Sequence, residues 1–420
     1  MIYSSDKGES TAHCGIMKNG CPIFHSPALM SMNRRRFLHS AGLFSVTTAL
    51  GFLPKAHGEP TLEILDTRVI SRQPQYYHGW PTVAQRRNGQ LLVVYSGGRE
   101  SHVCPFGRVE LMVSSDHGAT WGWPQVLLDS AIDDRDAGVV ETGRGTILVS
   151  TFTSLAYEAI LTEALKKKTG DPGAWPPERL AAWQAADQRL NAEQRQTGLG
   201  QWMIRSTDGG VTWSARYPTI VNSPHGPIQL GDGRLLYAGK ELWTREERVG
   251  VCESLDDGRS WRWLAEIPAR SGDTVKQYHE LHAVEAGDGR ILVQIRNHNP
   301  SNADETLQAE STDGGKTWSL PHAIGVWGLP SFLTRLRKGR LLMTYGYRRP
   351  PFGNEARFSD DHGRTWLKPM TISGDGAGGD LGYPSTVELE DGSLLTVWYE
   401  SMKSLPHAVL RQTHWRILPG

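Results

Sequence analysis

Five octapeptides decide the fold: SSDHGATW (114–121), STDGGVTW (206–213), SLDDGRSW (254–261), STDGGKTW (311–318) and SDDHGRTW (359–366). All follow Ser-x-Asp-x-Gly-x-(Thr/Ser)-Trp. A single copy would carry little weight, but five in one chain are a repeat. An Asp in a tight turn accepts hydrogen bonds from backbone N–H groups, and the Gly takes a conformation that other residues resist. The Trp then offers apolar area to a neighbouring unit. These residues read as structural, and none is placed in a catalytic site.

Working outward, a second repeat lies between the boxes: a short strand, a Gly turn and an apolar strand. Its turn glycines are Gly89, Gly145, Gly233, Gly289, Gly339 and Gly392. Each copy gives two strands; the stretch leading into each box gives a third and the stretch after it a fourth. Six units of four antiparallel strands predict an all-β, six-bladed β-propeller over residues 59–420. The sixth unit lacks a box, and the segment LEILDTRVI (62–70) is expected to complete it and close the ring. The interval from Gly145 to Gly233 is 88 residues against 50–56 elsewhere. Residues 155–197 fill it with Ala, Leu, Glu and Arg at helical spacing, interrupted by Pro172, Pro176 and Pro177. They predict a two-helix insertion between the second and third strands of blade two.

Lys+Arg and Asp+Glu are both 45 in the 420 residues, which gives no electrostatic reason for a nucleic-acid partner. That balance is uneven along the chain. Residues 1–58 hold six basic and two acidic groups, leaving 39 basic against 43 acidic, a net of −4, in the remainder. Arg34-Arg35-x-Phe37-Leu38 matches the twin-arginine export pattern. The uncharged run 40–53 is too short to span a membrane but suits a signal h-region, and Ala56-His57-Gly58 suits cleavage. Residues 1–31, before Met32, read either as an over-extended gene start or as a long n-region. The mature chain is expected in the periplasm or outside the cell, as a monomer without a transmembrane segment.

Strand order sorts residues by face. The Gly turns and the boxes close at the bottom, so the starts of inner strands and the ends of second strands lie at the top. The first set reads His78, Asp136, His225, Glu280, Leu329 and Tyr383. The second reads Arg99, Ser154, Lys240 with Glu241, Arg296, Arg348 with Arg349, and Glu400. Converging arginines recognise a carboxylate bidentately. A Tyr beside a carboxylate base can become a nucleophile. The fifteen His show no tight metal-ligand spacing, so no metal and no cofactor is expected. Cys104 and Cys252, on blades one and three, are not expected to pair. Trp80, Trp243 and Trp327 are expected to pack.

With these motifs the chain resembles the sialidase superfamily, the Asp-box propellers. The resemblance implies Tyr383 as nucleophile, Glu280 as its base and Arg296, sixteen residues later, as a carboxylate ligand. It also implies a further Arg from blade five (Arg348, Arg349 or Arg357) and an orienting acid, Glu400. Arg99 fits the Arg after the first hairpin. The family's acid/base has no direct match: RESHVCPFGR offers Glu100 and His102, and IDDRDAG offers Asp133, Asp134 and Asp136. Asp136, Asp134 and Glu100 stand as its candidates, with Arg135, His78 and His225 as further substrate contacts. Where the family's first arginine is expected, HGWP places Gly79. The resemblance implies an exo-acting retaining glycosidase for a sialic acid or another carboxylated sugar on a glycan. A lyase on uronic-acid glycans and a non-catalytic carbohydrate-binding propeller are the alternatives.

Overall fold

The computed structural model describes residues 61–418. The expected export signal lies outside them. Six four-stranded antiparallel sheets follow one another along the chain. Blade one is β2 (Tyr77–Gln85), β3 (Leu91–Arg99), β4 (Arg108–Ser114) and β5 (Gln125–Leu128). Blade two begins with β6 (Asp133–Glu141) and β7 (Ile147–Ser154) and ends with β8 (Gln201–Ser206) and β9 (Tyr217–Pro218). Blades three and five run from β10 (Ile228–Gln229) to β13 (Arg262–Glu266) and from β18 (Ser331–Arg335) to β21 (Met370–Ser373). Between them, blade four opens with β14 (Tyr278–Glu285) and β15 (Ile291–Asn297).

Blade six is β22 (Leu381–Glu388), β23 (Leu394–Glu400), β24 (Val409–Leu418) and, as its outer strand, β1 (Thr61–Val69). The ring is thus closed by the first strand pairing with the last, as the sequence predicts. This closure also explains the missing sixth box. The outer strand of blade six arrives from the other end of the described chain, so no turn joins third strand to fourth.

The boxes act as the turn chemistry requires. In the first, Asp116 accepts from the backbone N–H and the hydroxyl of Thr120 at 2.8 and 2.6 Å, and the Gly118 N–H donates to Ser114 at 2.9 Å. The same ties recur around Asp208, Asp256, Asp313 and Asp361. Two of the Trp side chains also bond across blades: Trp121 donates to Gln412 at 2.7 Å and Trp366 to Gln308 at 3.1 Å. Apolar faces of adjacent sheets interlock into clusters such as that of Leu92, Val94, Ala137, Val139 and Val149 between blades one and two.

The insertion sits where expected but has three helices rather than two: α1 (Tyr157–Leu165), α2 (Pro177–Asp187) and the short α3 (Ala192–Gly198). Asn191 caps α3 reciprocally with Gln194, a local signal passed over in the sequence. The insertion packs Tyr157, Leu161 and Trp183 around Cys104 of the blade-one loop, all buried. It is therefore docked on the propeller rather than standing free in solvent. Cys104 and Cys252 are both free and buried. No helix of the described residues is long and apolar enough to cross a membrane.

Candidate active site

Four inner strands bring a side chain to the axis by one device. Trp80, Asp136, Glu280 and Tyr383 each stand nine residues before their blade's turn glycine. All four have left-handed backbone, with φ of 54°, 44°, 45° and 54°. In each strand the ladder register breaks there: Gly79/Thr82, Arg135/Gly138, His279/His282 and Gly382/Ser385. Such bulges re-aim a side chain, and non-glycine residues in this region each cost about 1–3 kcal/mol, a strain that collects at functional sites.

Three residues form the centre. The Tyr383 hydroxyl donates to Glu280 Oε1 at 2.5 Å. Arg296 Nη1 donates to Glu280 Oε2 and, at 3.1 Å, to the Tyr383 oxygen. Arg296 Nε is held by His298 at 2.6 Å. Burial alone would raise the Glu280 carboxyl. The Arg296 charge, the bonds from Tyr383 and Arg296, and the Arg348 charge instead bring it down to about 2. Burial, then the Glu280 charge, pushes the Tyr383 phenol well above its ordinary value. The phenol is therefore protonated at rest and hydrogen-bonded to a carboxylate that can take its proton.

Of the three blade-five arginines, Arg348 faces this centre: its guanidinium lies 5.8 Å from the Tyr383 ring and its Nε bonds the Leu381 carbonyl. Arg349 instead stacks on Trp327 at 3.3 Å, and Arg357 bonds the Tyr345 hydroxyl. Arg135 lies over Trp80 at 4.4 Å and close to Asp136.

The proton-donor candidates separate clearly. Glu100 is spent on the insertion, accepting from Trp183 at 2.7 Å and pairing with Arg179. Asp134 turns to Ser130, accepting from its N–H at 2.7 Å and its hydroxyl at 3.0 Å. Neither faces Tyr383. Asp136 remains, with Oδ1 buried and without a hydrogen-bond partner. Burial raises it to about 7, Arg135 pulling it down and Glu280 pushing it up.

A carboxyl raised in this way binds its proton more tightly folded than unfolded. Its contribution is fully present below the ordinary carboxylate range and is lost as pH rises toward 7. The Asp136→Asn variant is therefore expected to gain thermal stability over the parent at pH 7.5 and to lose that advantage at pH 4. Melting curves at the two pH values check it.

Several expected contacts lie elsewhere. Arg99 is fully buried and grips Asp133 with both ends of its guanidinium, at 2.6 and 3.0 Å. It builds the wall and does not face the cluster. His78 is buried against Tyr95 and bonded to Ser71. Glu400 pairs with Arg411, on the third strand of its own blade. His225 lies 6.3 Å from the Tyr383 ring and 5.4 Å from His282. Burial lowers it to about 3, so it is a neutral wall residue. It also lines a cavity of about 520 Å³ shared by the inner strands.

Other members were missed. Trp80 meets Tyr383, Tyr399, Tyr77 and His102 ring to ring. Asp380 accepts from the hydroxyls of Tyr77 and Tyr399, each at 3.0 Å, and meets His102 at 3.0 Å. The nine-residue offset would have found Trp80. Nothing in the sequence marks Asp380 beyond its place three residues before Tyr383.

The model of the BNR repeat-like domain family matches residues 160–396, more than half of the chain. A sialidase of Bacteroides fragilis is 24% identical over 348 residues, covering 76% of this chain and 59% of that protein. A sialidase of Micromonospora viridifaciens is 23% identical over 364 residues, covering 84% of this chain and 45% of that protein. The chain thus spans about half the length of these curated relatives. Among solved structures, a Dyadobacter fermentans protein of unknown function superposes with a TM-score of 0.68 at 20% identity, over 86% of this chain and 100% of that one.

Proposed function

The chain belongs to the BNR-repeat family of the sialidase superfamily, and from that premise we propose that it is a retaining exo-glycosidase for a terminal carboxylated sugar. The observation that carries this reading is the Tyr383–Glu280–Arg296 cluster. Glu280 takes the phenol proton as the Tyr383 oxygen attacks the anomeric carbon. Arg296 holds both partners and offers positive charge to the anion that develops. Such a Tyr nucleophile suits an anomeric centre bearing a carboxylate, where an attacking carboxylate would be repelled. Arg348 and Arg135 supply cations on either flank for the sugar's own carboxylate.

A screen of released sugars on sialylated and uronic-acid-containing glycans tests this reading. Release of an acidic monosaccharide by the parent, lost in Glu280→Gln, is the expected result. Binding without release from any glycan would leave a lectin-like propeller instead. The second part of the reading is export. Arg34 and Arg35 stand before an uncharged run, and in a host with the twin-arginine route the Arg34→Lys, Arg35→Lys variant is expected to stay in the cytoplasmic fraction. Equal export of parent and variant on fractionation would refute it.

A further inference from the structure

The proton chemistry has a second candidate besides Asp136, on the loop that follows β3. His102 Nδ1 lies 3.0 Å from Asp380 Oδ1 and 2.9 Å from the Tyr77 hydroxyl. Asp380 is itself fixed by the Tyr77 and Tyr399 hydroxyls. A carboxylate held this way fixes the imidazole tautomer, with Nδ1–H on Asp380 and Nε2 as the atom that exchanges protons. Nε2 makes no hydrogen bond among the described residues. The ring stands edge-on to Trp80 at 4.9 Å, and Trp80 meets the Tyr383 ring at 6.4 Å, so His102 and the phenol pack on the same indole.

Access separates the two candidates. His102 is partly exposed, whereas Asp136 is buried and enclosed by charged neighbours. A departing alcohol leaves toward solvent, and the water that replaces it enters from the same side. The group that serves both must stand at the opening.

We propose that His102, positioned by Asp380, protonates the leaving oxygen and then activates water, and that Asp136 holds the sugar as a neutral hydrogen-bond donor. The inference deepens the glycosidase reading and rests on it. In the first step the Tyr383 oxygen bonds to the anomeric carbon and its proton passes to Glu280. The bond to the leaving oxygen breaks as that oxygen takes the Nε2 proton of His102. In the second step water gives a proton back to Nε2 and bonds to the anomeric carbon. The tyrosyl bond breaks, and Glu280 returns the proton to the phenol. The groups facing His102 are Asp380, Arg135, Arg99 and Tyr77. Burial and the two arginines hold the imidazole below its ordinary pKa, against the pull of Asp380.

The test compares two probes of one sugar: sialyllactose, whose leaving group needs a proton, and 4-methylumbelliferyl sialoside, whose leaving group does not. His102→Ala is expected to lose about 10²-fold or more on sialyllactose. On the aryl sialoside it is expected to give a burst of methylumbelliferone, followed by slow turnover that azide accelerates. Asp380→Asn gives the same split more weakly, and Asp136→Asn slows both probes by a common factor. Circular dichroism and melting curves establish that each variant is folded. The proposal is overturned if His102→Ala slows both probes equally without a burst, or if Asp136→Asn shows the split and the azide rescue instead. A parent that releases no acidic sugar from any glycan of the screen, or a burst that survives Tyr383→Phe, counts against the glycosidase reading itself.

Discussion

Replacing Tyr383 by Phe lowers turnover of the glycan substrate by about 10³-fold or more and leaves the fold intact. The substitution removes one oxygen from a ring that stays buried among Trp80, Tyr399 and His225. Glu280 loses the bond from the phenol but keeps Arg296, so no carboxylate is left unpaired. The expected melting temperature is therefore close to the parent's. Substrate affinity should also change little, because Arg296, Arg348 and Arg135 are untouched. The combination sought is lost rate with retained binding and retained stability. Steady-state kinetics, calorimetric titration with the released sugar and thermal melting read the three separately. A Phe variant with near-parental rate removes Tyr383 from the chemistry.

Arg99→Met has the opposite profile. Arg99 and Asp133 are both fully buried and doubly bonded to one another. Removing the guanidinium strands Asp133 in the interior, and breaking a buried pair from one side costs about 3–5 kcal/mol. Ser96 and the His102 carbonyl lose a donor as well, and Trp80 loses the cation 4.9 Å from its ring. The urea midpoint should fall accordingly with little change in slope. Adding Asp133→Leu should recover a large part of the loss, since no uncompensated charge then remains. If Arg99 were instead a substrate ligand, the single variant would raise KM and leave the urea midpoint in place.

The contrast between these residues shows what the sequence can and cannot carry. Ring, blade count and closure were legible because box and hairpin repeat at fixed spacing, and a repeat is read by self-comparison. Tyr383 and Glu280 were legible because each stands where an inner strand starts, nine residues before its blade's turn glycine, and Arg296 because it ends the strand that follows Glu280's. Trp80 shares that offset, but it was passed over for the more obviously chemical His78, which the strand turns away from the cluster. Whether a top-face charge faces the cavity or a buried partner depends on contacts far apart in the chain. Arg99 meets Asp133, 34 residues on, and Glu100 meets Trp183, 83 residues on. The His102–Asp380 contact joins blade one to blade six across 278 residues. No local pattern predicts such a pairing. The insertion hid a further consequence, since only its docked position shows that it removes Glu100 from the catalytic candidates.

On the proposed mechanism Tyr383, with Glu280 as its base, forms a covalent bond to a carboxylated sugar. Intact-mass measurement of the protein after treatment with 2,3-difluorosialic acid, followed by peptide mapping, tests it most directly. The expected result is a one-to-one adduct on the peptide containing Tyr383, absent from Tyr383→Phe and strongly slowed in Glu280→Gln. An adduct on another residue, or no adduct from a protein that cleaves sialosides, would contradict it.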